Sequence, residues 1–421
     1  MRAQAAVTAQ PTIDRGRWLQ LSLGVAAMLA ISSPQYVWTL FVQPFRDGLG
    51  VSLSAVQVTF ALFSIFQCGL GPLHGQLAAR SPPRRLVAIG GALVGASWIL
   101  SAFAPNIWVL YLTYGVLSGI GTGFVYVAVI ELMVRYFPDR RGFAIGMAAG
   151  SYGLGAIVTT FPIAGSLQSA GLQTTLTQFG LVLSAIIVLA ALGMRRPTST
   201  ISASPAVGTG STPGQMLRTP MFWAMFIVMT MVATGGLMVI SQLSPFAASL
   251  GIGPATLAFG VPALALALTI DRIANGLTRP FFGLISDRIG REPTMAIAFG
   301  LEALAVFLLF QFGADPIAFV LLTGLVFFGW GEIYSLFPAL QADVFGETHA
   351  VKNFGYLLVG TAIASVLGAP TAAYIVEQTG SWRTVFYAMI ALDLLAVALA
   401  LALLRPLRLK MQRQREPYVR A

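Results

Sequence analysis

Apolar runs of about twenty residues follow one another along almost the whole chain, and that repetition limits the fold before any motif is read. About 20 mostly apolar residues make one helical crossing of a bilayer. Only 10% of the 421 residues are charged and 57% are hydrophobic, with a mean hydropathy of +0.80. Soluble domains sit far from that profile, so soluble readings are excluded. Breaks at charged residues and at Pro or Gly separate twelve segments. The first six start near Trp18, Leu53, Leu86, Val109, Gly142 and Thr175, and the second six near Met221, Ala255, Thr294, Ile317, Asn353 and Arg383. They are called spans one to twelve below.

Between spans six and seven lies "RRPTSTISASPAVGTGSTPGQMLR", the one low-complexity stretch, rich in Ser, Thr, Gly and Pro. Such composition makes a flexible linker. The expected organisation is a tail over 1–17, a six-helix half over 18–194, a linker over 195–219, a second six-helix half over 220–404 and a basic tail over 405–421. The first apolar stretch is too long for a signal peptide and shows no clear cleavage site. Cys68 is the single cysteine, so it has no internal disulfide partner and is expected to pack rather than bind metal. No metal or cofactor is expected.

An even number of spans puts both termini on one side. All but Arg46, Arg272, Arg279 and Arg383 of the 25 Lys and Arg then fall on that side, and the positive-inside rule makes it the cytoplasm. The expectation is a multi-pass protein of the plasma (inner) membrane, working as a monomer. Topology alone explains the net charge of +10, so no nucleic-acid partner is implied. A basic tail also suits anionic lipid.

A weak repeat relates the halves. "GQLAARSPPRR" follows span two and "GLISDRIGRE" follows span eight, while "RYFPDRRGFAIG" leads into span five and "DVFGETHAVKNFG" into span eleven. Parallel halves of this kind place a substrate site near the midplane between them. On these features the chain resembles the major facilitator superfamily over nearly all its length, which implies an all-α membrane protein of twelve helices in two six-helix halves. The family's loop pattern is complete at Gly283, Asp287, Arg288, Gly290 and Arg291. In the first half it is degraded, with Ala79 at the acid's place. Its physical role is a short loop whose acid caps a helix end and pairs with basic residues, holding one gate state.

"SPQYVWTLFVQPFRDGLGVSLSAVQVTFAL", "RYFPDRRGFAIGMAAGSYGLG", "MLRTPMFWAMF", "ANGLTRPFFGLISDRIGR" and "FGWGEIYSLFPALQADVFG" are similar to the oxalate/formate antiporter family, within the monocarboxylate transporter-like group. In that family a span-eight arginine and a span-eleven lysine hold the two ends of a dicarboxylate inside an aromatic cage. The resemblance carries the arginine to Arg279, the aromatics to Tyr36, Tyr126, Tyr152, Trp330 and Tyr334, and a polar position to Gln35. Thr361 stands where the lysine is expected.

The residues themselves bear on this. An arginine at membrane depth costs about 2.5–3.5 kcal/mol on insertion scales, and its planar fork matches a carboxylate. Arg279 lies eight residues from the loop acid Asp287, roughly 12 Å along a helix, with Asn275 one turn earlier on the same face. Structural pairing with an intramembrane acid is the alternative. The tyrosines and Trp330 either line a cavity or pack in the core. Asp271 and Glu332 are candidates for proton coupling. The bland readings are an interfacial polar end for Asp271–Arg272 and a hydrogen-bonded structural acid for Glu332. Glu131 and Asp343 suit salt bridges at cytoplasmic helix ends, and His74 suits packing. Gly115, Gly119 and Gly123 in span four, and Gly142, Gly146 and Gly150 in span five, have the small-xxx-small spacing of close helix contacts.

The only histidines, His74 and His349, sit in no H-E-x-x-H or Ser–His arrangement, which argues against an enzyme. No phosphate-binding G-x-x-x-x-G-K-[ST] loop occurs, so gradients must drive any transport. The expected function is secondary transport of small carboxylate anions by alternating access. Proton-coupled monocarboxylate symport is the alternative, and a non-transporting sensor the distant one.

Overall fold

A computed structural model describes residues 16–137, 141–197, 210–252, 255–257, 260–346 and 349–411. The N-terminal tail up to residue 15, residues 198–209 of the linker and the last ten residues lie outside that set. Among the described residues, eight helices are long and apolar enough to cross a membrane, and ten when each of two bent pairs is taken as one crossing. The remaining two have clear physical origins.

One is hidden by length. Ala144–Gly193 runs for 50 residues, about 75 Å at helical rise, far more than a bilayer of about 30 Å admits. Gly171, at φ +79 and ψ 176, interrupts it, a conformation that only glycine adopts without strain. Spans five and six therefore meet at this turn. The other is hidden by charge. Ala263–Ile289 is a 27-residue helix, but it carries Asp271, Arg272, Arg279, Asp287 and Arg288. With both admitted, the crossings among the described residues number twelve.

The bends fall where the backbone ladder is broken. Span one passes from Arg17–Tyr36 to Trp38–Leu49 with a 42° bend, and span two from Leu53–Gly69 to Gly71–Ala78 with 47°. Pro34 lies one turn before the first break and Pro72 opens the segment after the second, and neither ring nitrogen has a proton to continue the ladder. Span two also contains a π-helical turn at Ile65–Gly69. Span ten breaks between Pro316–Trp330 and Ile333–Phe345, leaving Glu332 at the joint. Span eight starts at Ala263 rather than near Ala255. Before it, Thr256 and Pro262 form an isolated antiparallel bridge.

Small residues set the packing inside the N-terminal half. A Cβ at Gly115 would lie 2.9 Å from the Leu62 side chain, at Gly119 2.5 Å from the Phe63 carbonyl, and at Gly123 2.2 Å from the His74 ring. Span four thus lies directly on span two, as the four-residue spacing predicts. His74 is fully buried there, edge-on to Phe124 at 5.2 Å, a packing role. The same spacing misleads in span five. An added Cβ at Gly146 or Gly150 would meet nothing within 4 Å among the described residues, so neither is a contact with a described helix.

The halves meet through spans one with seven, two with eleven and five with eight. Ser244 N–H donates to Thr39 Oγ1 at 2.8 Å. Gln57 Nε2 donates to the Ser241 carbonyl at 2.7 Å, and Trp38 Nε1 donates to Gln57 Oε1 at 3.1 Å. Ser54 gives its N–H and its hydroxyl to the Glu377 carboxylate at 2.8 and 2.7 Å. These bonds gather at the end of the molecule away from the termini. That end is closed by polar contacts between the halves.

Candidate functional site

Span eight presents one polar stripe to the N-terminal half. Arg272, Asn275, Gly276 and Arg279 stand at i, i+3, i+4 and i+7, so they share a helix face. The facing wall comes from spans one, two, four and five. Leu154 seats on Gly276, where an added Cβ would lie 2.4 Å from its side chain. Gly153 lies over the next turn, where an added Cβ would be 3.3 Å from Asn275 Oδ1 and 3.6 Å from Arg279 Nη2. A side chain at position 153 would press on the guanidinium.

Arg279 is half-buried. Its Nη1 donates to the Ala149 carbonyl at 3.1 Å across the interface, and its Nη2 donates to Asn275 Oδ1 at 3.3 Å. Its guanidinium lies 5.5 Å from the Tyr334 ring centre. Nε is buried and has no hydrogen-bond partner among the described residues. No described carboxylate lies within salt-bridge range of Arg279, so a structural ion pair does not account for it. Such a group in low dielectric is poised for an anion.

The aromatic residues named from the sequence fall into two groups. In the N-terminal half Tyr36 and Tyr152 have ring centres 5.5 Å apart, and Tyr126 meets Tyr152 edge-on at 5.3 Å. The Tyr152 hydroxyl donates to Gln35 Oε1 and accepts from Gln67 Nε2 at 2.7 Å. In the other half Trp330 and Tyr334 are edge-on at 5.5 Å. Trp330 is fully buried against Gly236, where an added Cβ would lie 2.1 Å from the indole. Trp330 therefore backs the site, while Tyr334 meets Arg279. Thr361 is 2% exposed and its hydroxyl has no hydrogen-bond partner among the described residues.

Several expectations are corrected. Asp271 and Arg272 are not an interfacial polar end, since they are 0% and 2% exposed. With the helix spanning Ala263–Ile289, Arg272 falls near its middle, only four residues from the central Gly276. Its guanidinium is held between the rings of Tyr36, at 4.1 Å, and Phe327, at 4.4 Å. Asp271, 100° further round the helix, is fully buried and neither of its carboxylate oxygens has a hydrogen-bond partner among the described residues. Glu332 is fully buried, but neither carboxylate oxygen has a hydrogen-bond partner among the described residues. It is not the hydrogen-bonded acid expected. Gln67 and Arg272 join the site although the sequence pattern does not single them out.

The loop motif lies at the end that carries the termini. Gly290 has φ +97, a conformation strained for any residue with a Cβ. Arg291 Nη1 bonds Asp287 Oδ1 at 2.7 Å and its Nε bonds Asp343 Oδ2 at 3.1 Å. Arg408 Nε pairs with the buried Glu292 at 2.9 Å, so the basic helix that continues to Met411 is tied to this corner. Arg288 and Asp287 are exposed. Glu131 pairs with Arg135 within one helix at 2.5 Å.

Two helical halves enclosing an arginine with no described acid partner, on a helix long enough to cross a membrane, describe a membrane transporter. The chain belongs to the Major Facilitator Superfamily, whose family model matches residues 23–275 and 259–418. It is 36% identical to an oxalate:formate antiporter of Oxalobacter formigenes, over 91% of this chain and 90% of that one. It is 29% identical to the MFS-type transporter YhjX of Escherichia coli, over 84% and 87%. It is 27% identical to monocarboxylate transporter 13 of Bos taurus, over 75% and 72%.

Proposed function

We propose that this chain exchanges small carboxylate anions, oxalate and formate among them, across the plasma (inner) membrane by alternating access, with both termini cytoplasmic and one chain as the working unit. The observation that carries this reading is Arg279, whose guanidinium sits between the halves with no described carboxylate to neutralise it. A carboxylate accepted by its fork, with Tyr334 and Asn275 beside it, would supply the missing charge. The aromatic walls exclude water from the pair. Closure of the polar contacts on one side and opening on the other would carry the anion across. Asp287 and Arg291 hold the loop that changes in that step. The name and identity of the Oxalobacter relative support the choice of anions.

Proton-coupled monocarboxylate symport is favoured by one separate feature. Glu302, Glu332 and Asp393 are all fully buried, and none of their oxygens has a hydrogen-bond partner among the described residues. A methyl at Gly235 would lie 3.6 Å from Glu302 Oε1 and 3.7 Å from Asp393 Oδ1. Burying an ionised carboxylate without a partner is costly, so this cluster suits a proton carrier. Both readings are separated by purified protein in liposomes. Exchange predicts uptake of labelled oxalate or formate that depends on unlabelled anion inside and persists without a pH gradient. Symport predicts uptake driven by an acid exterior with no internal anion. Binding without any flux would indicate a sensor.

A further inference from the structure

Thr361 leaves the site without a cation on span eleven, and Arg272 offers one on span eight. We propose that Arg272 is a second anion-binding residue, so that the site takes short dicarboxylates with one end on each guanidinium of the same helix. This rests on the reading of Arg279 as a carboxylate anchor.

Three observations carry it. Arg272 and Arg279 are seven residues apart, so they differ by only about 20° around the helix and about 10.5 Å along it. Both guanidiniums meet the interface between the halves, Arg272 over Tyr36 and Arg279 through the Ala149 carbonyl. Arg272 is 2% exposed, yet its Nε and Nη1 have no hydrogen-bond partner among the described residues. Stacking on Tyr36 and Phe327 fixes the plane of the guanidinium and leaves its in-plane donors unused. Its neighbour Asp271 makes no hydrogen bond with it among the described residues, although the two opposite charges lie near enough to attract. Between the arginines lie Asn275, whose Nδ2 is also buried and unpartnered among the described residues, and the Cβ-less Gly276. The stripe therefore has donors at both ends and an amide between them. The two side chains leave the helix about 10.5 Å apart along its axis and each bidentate ion pair takes roughly 2.8 Å, a spacing that suits a short diacid.

The test is equilibrium binding of oxalate, malonate, succinate and formate to purified wild type, Arg272→Gln and Arg272→Lys, with thermal unfolding of each in the same detergent. A charge-assisted pair lost from one end lowers affinity by about 10- to 100-fold. In Arg272→Gln the ratio of oxalate to formate affinity should fall by that order, and Arg272→Lys should restore part of it. If Arg272→Gln does not fold, the ratio is read in Arg272→Lys, which keeps the charge but loses the fork and should still show a reduced ratio. An unchanged ratio in a folded variant overturns the proposal. So does a wild type that binds formate but none of the diacids, while leaving the carboxylate reading intact. Failure of wild type to bind any of the four overturns both.

Discussion

Arg279 is the residue on which the site turns, and its environment shows how substitutions should behave. Replacing it with alanine removes both the charge and the contact to the Ala149 carbonyl. Exchange should fall by at least about 100-fold, as expected for losing a desolvated charge pair worth roughly 3 kcal/mol or more. Arg279→Lys should recover little, since a point charge cannot reproduce the fork that reaches Asn275 and a carboxylate together. Rates of labelled oxalate exchange in liposomes check both. Tyr152→Phe is a milder probe. Its hydroxyl joins Gln35 to Gln67, and loss of that link should weaken oxalate binding by roughly tenfold, on the order of one hydrogen bond. A titration of the variant against wild type decides it.

At the scale of helices, the loop motif separates a glycine that backbone geometry requires from one that it does not. Gly290 has φ +97, where a side chain is strained by about 1–3 kcal/mol. Gly283 is helical, and a methyl there would meet nothing within 4 Å. Gly290→Ala should lower the unfolding temperature, whereas Gly283→Ala should leave it unchanged or raise it slightly. Thermal unfolding of the two variants in detergent is the comparison, and equal losses would contradict this role for Gly290. Asp287→Asn should slow exchange with little change in oxalate affinity, because it loosens Arg291 at a corner remote from Arg279. Kinetics and equilibrium binding on one preparation show whether rate and affinity separate.

The molecule as a whole is closed at the end away from its termini by bonds such as Ser54 to Glu377. Glu377→Ala removes both acceptors and should favour opening there. In a Cys68→Ser, Gln57→Cys background it should raise the reaction rate with a membrane-impermeant thiol reagent several-fold, roughly as 1 kcal/mol of bias implies. How much of this is legible in the sequence depends on what each feature is made of. Apolar runs mark most crossings directly, because lipid demands them. Span eight is legible only through its repeat and its loop, since its own charges work against an apolar reading. Arg279 stands out as an isolated charge. Arg272 does not, because Asp271 beside it makes the pair look like a helix end, and only the true start at Ala263 moves it inward. Gln67 does not stand out because the π-helical turn at Ile65–Gly69 shifts the faces that a 3.6-residue period would assign.

The central claim is that a carboxylate completes the unpaired charge of Arg279. Isothermal titration of oxalate and formate into purified wild type and Arg279→Ala, matched for folding by thermal unfolding, tests it most directly. Saturable binding of both anions by wild type, and its loss in a folded Arg279→Ala, is the predicted result. Binding of either anion by Arg279→Ala at wild-type affinity would contradict it.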